Sequence, residues 1–169
     1  VGRPNVGKSS LLNQLVQKDR AIVTDVPGTT RDVIEETLNL DGIPVVISDT
    51  AGVHHTDNPI EKIGIEKTLE HVNGSDLVLF MIEAHRPVDP EDHLIYDQIN
   101  SKPKIVVLNK IDLIRKGNET SLPDSWRFDD QVNISALYDR GIDHLKNKVI
   151  KIAGGQNALD FEDVVVPNL

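Results

Sequence analysis

The sequence predicts an α/β fold: a mostly parallel sheet with helices on both faces. Three observations carry this. Short apolar runs alternate with stretches of helical periodicity, at a spacing that suits crossover connections. Two of those runs, Leu77–Ile82 (LVLFMI) and Ile105–Leu108 (IVVL), hold no polar residue, as in strands buried on both faces. A glycine-rich turn with Gly2, Gly7, Lys8 and Ser9 fits G-x-x-x-x-G-K-[ST], a loop that joins a strand to a helix.

The elements follow in order. Helix is expected from Lys8 to about Lys18, with Leu11, Leu12, Leu15 and Val16 on one face. Asp19 to Arg31 reads as a loop containing Pro27 and Gly28. Val33 to Leu40 alternates partly, as a half-solvated edge strand does, and Asp41-Gly42 is a hairpin turn. Ile43 to Ser48 is nearly all apolar and is expected to be buried on both faces. A turn, Asp49-Thr50-Ala51-Gly52, follows, then a loop with His54, His55 and Asn58. Pro59 suits the first turn of a helix running to about Val72.

Asp76 to Glu83 is the second buried strand and Lys104 to Leu108 the third, with a helix over Pro90–Asn100 between them. Asn118 to Asp130 is polar and irregular, with Trp126 as its anchor. Gln131 to Ser135 forms a short strand. Gly141 to Ile152 forms the last helix, with Ile142, Leu145, Val149 and Ile152 on one side. The pattern stops at Gly154-Gly155. The expected organisation is one domain over residues 1–153 and a tail or linker over 154–169. The strand expected before the loop lies largely ahead of Val1.

Composition narrows the chemistry. A length of 169 residues suits one domain with a sizeable core. Without cysteine there is no disulfide framework, thiolate nucleophile or Cys-ligated metal, and a cytoplasmic setting is expected. No apolar run approaches the ~18 residues of a membrane helix. A net charge of −9 and 4% aromatic residues disfavour direct binding of a nucleic-acid backbone or stacked bases.

The loop at Gly2–Ser9 presents backbone N–H groups to an anion, and the helix it opens points its positive end to the same place. Asn5, Val6, Gly7, Lys8, Ser9 and Ser10 are its candidate phosphate-binding residues, with Lys8 on the β- and γ-phosphates and the Ser9 hydroxyl on Mg²⁺. Asp49, after a strand, can hold Mg²⁺ through a water, and Gly52 can offer its N–H to the γ-phosphate. Asn109-Lys110-Ile111-Asp112 follows the next strand. The Asp112 carboxylate can accept from both N–H donors on the guanine edge, a pair that adenine lacks, and the Lys110 stem can lie on the base. Ser135-Ala136-Leu137 can supply a backbone N–H to guanine O6. Each motif alone also reads as an ordinary turn or cap. Four in this order, each at a strand's carboxyl end, point to GTP.

Together these motifs resemble the small GTPases of the translation-factor-like class, with a Ras-like G domain of the P-loop NTPase fold. Arg20–Glu36 (RAIVTDVPGTTRDVIEE) and Gly42–Thr68 closely resemble the G domain of the MnmE (TrmE) family of tRNA-modification GTPases, in the TrmE-Era-EngA-like class. The run around Thr24–Asp32 is shared with the ribosome-assembly GTPase Der. The helix entry Asn58–Glu66 is similar to MnmE and not to Der.

Where many GTPases orient the attacking water with Gln, this chain has Val53. The resemblance implies that Glu61 orients the water instead, alongside Lys8 and Gly52 as catalytic groups. It implies K⁺ on the Asn5 side chain and the Thr24 and Val26 carbonyls. It also implies Mg²⁺ on Ser9, Thr30 and Asp49, with Thr29 the ligand if the register slips. Arg31 reads as a salt-bridge partner of Asp32 or a neighbour rather than a finger. His54 stands where the family often has Arg, and the His54-His55 pair lacks further ligands at metal spacing.

The resemblance further implies a homodimer through the G domains in the transition state. It implies flanking folate-binding and helical domains in a full-length protein, an MnmG-type partner enzyme, and tRNA contacted mainly elsewhere. The remaining readings are a Der-like ribosome-assembly domain and a passive GTP/GDP switch.

Overall fold

The computed structural model describes residues 1–19, 35–48, 72–127 and 129–154. Its elements are α1 (Lys8–Asp19), β1 (Glu35–Leu40), β2 (Ile43–Ser48), β3 (Val78–Glu83), α2 (Pro90–Gln98), β4 (Lys104–Asn109), β5 (Asp130–Asn133) and α3 (Ile142–Ala153). Strands β3, β4 and β5 form a parallel sheet in that order. Val1 adds to it. Its backbone nitrogen donates to Leu79 O at 2.8 Å and its carbonyl accepts from Met81 N–H at 2.9 Å, the slanted pattern of a parallel neighbour.

The pleat sorts side chains to two cores. Met81, Ile105, Val107, Val132 and Ile134 face one side, packed with Leu11 and Leu15 of α1 and Ile142, Leu145 and Val149 of α3. Val78, Phe80, Ile82 and Val106 face the other, with Tyr96 of α2, Ile99 and Trp126. Alternate residues of single strands therefore feed both cores, which is why these runs carry no polar positions. Helices on both faces of the parallel sheet are as expected.

Strands β1 and β2 pair antiparallel through a turn at Asp41 and Gly42, both at positive φ (49° and 89°), and the Asn39 side chain accepts from Gly42 N–H at 2.7 Å. Leu38 and Leu40 are buried in the α1 core while Asn39 is exposed, so the alternation holds in β1. Strand β2 corrects an expectation. It is not buried on both faces. Val45 and Ile47 pack on the core, whereas Pro44, Val46 and Ser48 are exposed, Val46 to 59%. The reason is geometric: among the described residues only one face of this hairpin has a partner layer, and apolar composition does not reveal how many faces are covered.

Strand β5 also stops short, at Asn133. Ser135 instead bridges Arg140 in a tight antiparallel loop, with Ser135 N–H to Arg140 O at 2.9 Å and Arg140 N–H to Ser135 O at 3.1 Å.

Trp126 anchors its irregular segment as expected. It is 2% exposed, stacks on Tyr96 with ring centroids 4.3 Å apart, and meets Phe80 edge-on at 5.5 Å. The Tyr96 hydroxyl donates to Asp129, and burial together with that carboxylate pushes its pKa up, so it stays a donor. Trp126→Ala is expected to cost about 3–5 kcal/mol of stability, the scale of a buried large-to-small aromatic change. Urea unfolding followed by far-UV circular dichroism measures it.

Candidate functional site

The described motif loops meet at the carboxyl ends of the parallel strands. Gly2 to Gly7 forms a compact turn and its carbonyl at Gly7 accepts the first bond of α1 from Leu11 N–H at 3.0 Å. Both motif glycines are required by packing. Gly2 has φ +148°, and a Cβ there would come within 2.3 Å of the Met81 carbonyl on β3. Gly7 has φ +104°, and its Cβ would strike the Asn109 side-chain nitrogen at 2.2 Å. The loop backbone thus lies directly on β3 and on the end of β4.

Asn109 joins three segments. It is 2% exposed at the last position of β4. Its Nδ2 donates to Val6 O at 2.7 Å and its Oδ1 accepts from Ala136 N–H at 3.0 Å. The phosphate loop and the Ser135–Leu137 turn are held to one carboxamide. Of the Ser135–Leu137 backbone N–H groups, one of which is expected to reach guanine O6, that of Ala136 is donated here to Asn109 and that of Ser135 to Arg140.

Lys110 forms a second tie. It adopts a left-handed conformation at φ 65°, and its Nζ donates to Asn5 O at 2.7 Å and to the Glu83 carboxylate. Asn5, also left-handed at φ 63°, keeps an exposed side chain. Burial by itself would raise the Glu83 carboxyl. The Lys110 hydrogen bond and charge, with Arg86, outweigh it and hold the group below its ordinary value. Asp112 is half-buried and accepts from the Ser135 hydroxyl, which fixes one carboxylate oxygen.

Lys8, the first residue of α1, folds its Nζ onto the loop, donating to Gly2 O at 2.7 Å and Arg3 O at 2.8 Å. Ser9 and Ser10 are exposed on the first turn of α1, which carries no acidic residue. Val6 is 1% exposed, so its side chain belongs to the core and only its backbone serves the loop. Leu137 is 70% exposed beside the turn.

The structure therefore brings together Asn5, Val6, Gly7, Lys8, Ser9, Ser10, Asn109, Lys110, Asp112, Ser135, Ala136 and Leu137. Asp49, Gly52, Glu61, Thr24, Val26 and Thr30 lie outside the described residues, as do Thr29, Arg31, Val53, His54 and His55. Among the described residues no three His, Cys, Asp or Glu side chains gather as a metal site. Nor is any helix there long and apolar enough to cross a membrane. Sequence reasoning missed Glu83. Its signal was present as a carboxylate ending the otherwise apolar run of β3, a position that demands a cation.

Comparison with known proteins gives a consistent result. The family described as 50S ribosome-binding GTPase matches residues 1–110. The tRNA modification GTPase MnmE of Finegoldia magna is 47% identical over 169 residues, covering 100% of this chain and 37% of that protein. The MnmE of a Nostoc strain is 49% identical over 164 residues, covering 96% of this chain and 36% of that protein. The chain thus spans little more than a third of the length of these curated relatives. Among solved structures, Aquifex aeolicus Era bound to GDP and AlF₄⁻ superposes with a TM-score of 0.66 and 30% identity, over 89% of this chain and 54% of that one.

Two outcomes are expected from this geometry. Asn109→Ala leaves the Val6 carbonyl and the Ala136 N–H buried without their partner, and is expected to cost about 3 kcal/mol. A thermal melt of the variant measures it. The depressed Glu83 carboxyl contributes stability above the ordinary carboxylate range, and that contribution is lost as pH falls through its folded value. The stability gap between wild type and Glu83→Gln is therefore expected to be widest near neutrality and to close as pH falls below 4.5, the ordinary value. Urea midpoints across that range report it.

Proposed function

The chain belongs to the 50S ribosome-binding GTPase family, and we propose that it hydrolyses GTP as the G domain of a tRNA wobble-uridine modification enzyme. In this reading hydrolysis is stimulated by K⁺ and coupled to dimerisation through the nucleotide faces of two G domains. The domain occupies residues 1–153, with 154–169 leading to a helical domain. A folate-binding domain, an MnmG-type enzyme and tRNA engage other parts of a cytoplasmic full-length protein.

The observation that carries the nucleotide reading is the joint anchoring of three loops. Asn109 bridges the phosphate loop to the Ser135–Leu137 turn, and Ser135 holds Asp112 at the same edge. A carboxylate held there can accept two bonds from a guanine edge, and a base lacking those donors leaves it unpaired. The donor set also suits Mg²⁺-nucleotide: a lysine, a serine hydroxyl and a helix start without competing acid. Mg²⁺ supplies charge neutralisation at the phosphates when bound. Ser9 would ligate it with Thr30 and Asp49, and the Asn5 side chain with the Thr24 and Val26 carbonyls would hold K⁺. Lys8 binds the β- and γ-phosphates, and the Gly52 N–H orients the γ-phosphate. Glu61 orients the attacking water where Val53 has no polar atom to offer.

The test is GTP hydrolysis in KCl and in NaCl at equal ionic strength with Mg²⁺. Roughly tenfold or greater acceleration by K⁺ is expected, the scale of well-placed charge stabilisation. Glu61→Ala is expected to lose on the order of a hundredfold in rate. Equal slow rates in both salts would remove the cation from the reaction and leave a passive switch.

A further inference from the structure

The phosphate loop has one more attachment, made by a residue in a spacer position of its motif. Arg3 Nε donates to Asp92 Oδ1 at 2.8 Å, and its NH1 lies 3.5 Å from Asp89 Oδ2. The Arg3 side chain is 18% exposed and Asp92 only 1%. The other Asp92 oxygen accepts from Asp89 N–H at 3.0 Å, completing a capping box at the start of α2. A carboxylate this buried needs a cation, and the forked guanidinium can address two carboxylates from one rigid plane. The same residue's carbonyl accepts from Lys8 Nζ at 2.8 Å. Arg3 is thus fixed at both ends: its side chain to α2, its backbone to the lysine that faces the phosphates.

We propose that Arg3 is a positioning residue for the nucleotide phosphates, holding the phosphate loop and Lys8 in register through its bridge to Asp92 and Asp89. The role rests on the guanine-nucleotide reading above. Arg3 is no arginine finger, since its guanidinium is committed to α2. A loop released from that bridge keeps its glycine turn and its Asn109 tie but loses the restraint on the carbonyls that orient Lys8. Misplacement of a charged ligand by a fraction of an ångström weakens both its binding and its use in the transition state.

The experiment is a double-mutant cycle on affinity for a fluorescent GDP analogue. It uses wild type, Arg3→Met, Asp92→Asn and the double variant, with Arg3→Lys as the conservative change. All are measured at a temperature where circular dichroism shows them folded. About a tenfold loss of affinity is expected for each single variant, the scale of one charge-assisted bond. The double variant is expected to be no weaker than the weaker single one, and Arg3→Lys to fall between Arg3→Met and wild type.

Unchanged affinity in Arg3→Met with only a lowered melting temperature would overturn the positioning role and leave a structural bridge. Losses that multiply in the double variant would also overturn it, because the two residues would then act apart. If Arg3→Met does not fold, unchanged affinity in Arg3→Lys and Asp92→Asn overturns it equally. Folded wild type that takes up no guanine nucleotide would instead sink the nucleotide reading, and the Arg3 role with it.

Discussion

A single buried carboxamide holds this site together. Asn109 ends β4 at the place where the phosphate loop and the Ser135 turn converge, and neither loop can satisfy its own inward backbone group. Val6 presents a carbonyl and Ala136 an N–H. Only a side chain with a donor and an acceptor on one planar group meets both. Aspartate would lack the donor, and leucine would leave both unpaired at the cost of two desolvated backbone groups. The same side chain explains Gly7, because a Cβ there would occupy the space of Nδ2. The motif's second glycine and the asparagine over a hundred residues later are one packing solution.

Around that clamp stand two ionic ties that differ in kind. Lys110 bridges the Asn5 carbonyl and Glu83, which lies at the end of β3 beside β4. Arg3 reaches from the loop to α2. Each pairs a well-buried carboxylate with a cation, so each strongly resists removal of one partner while giving little net stability as a pair. Their consequence is placement rather than strength. The loop is fixed to β4 through Asn109, to the β3 end through Lys110 and to α2 through Arg3, three directions that leave little freedom to rotate.

The centre of the fold was legible because β3 and β4 are buried on both faces. LVLFMI and KIVVL leave no ambiguity of face, and the structure sorts Phe80 from Met81 and Val106 from Val107 as the pleat requires. Ile43–Ser48 misled for the converse reason. A run of apolar residues records affinity for a core, not whether a second layer covers it, and Val46 lies exposed. The site motifs were legible as spacings, but their cross-links were not. Nothing local in Arg3 announces a partner 89 residues away, and a carboxylate ending β3 shows that Glu83 needs a cation without showing that it lies 27 residues on. Those contacts come from topology, which places the exits of β3 and β4 beside the loop. Gly2 and Gly7 have a second reason that spacing does not show: the motif implies that backbone must be exposed, and only the packing shows what presses on it.

The distribution of carboxylates resolves how so acidic a chain, with a net charge of −9, can present a site for a polyanion. Among the described residues, the two helices tied to the loop are treated oppositely. The start of α2 carries Asp89, Glu91 and Asp92, of which Asp89 and Asp92 satisfy N–H groups there and face Arg3. The first turn of α1 carries no acid, only Lys8, Ser9 and Ser10. Carboxylates at α2 complement that helix's positive end internally. At α1, among the described residues, no first-turn acid takes up the corresponding N–H groups and dipole, and Lys8 donates to its own loop carbonyls at the same place. Arg3 follows from the same division. A cation facing α2 balances the acids there without adding a competing side chain at the phosphates. Among the described residues, the acids that open a helix beside the loop therefore all belong to α2, where a cation already meets them, and net charge says little about the field at the loop itself.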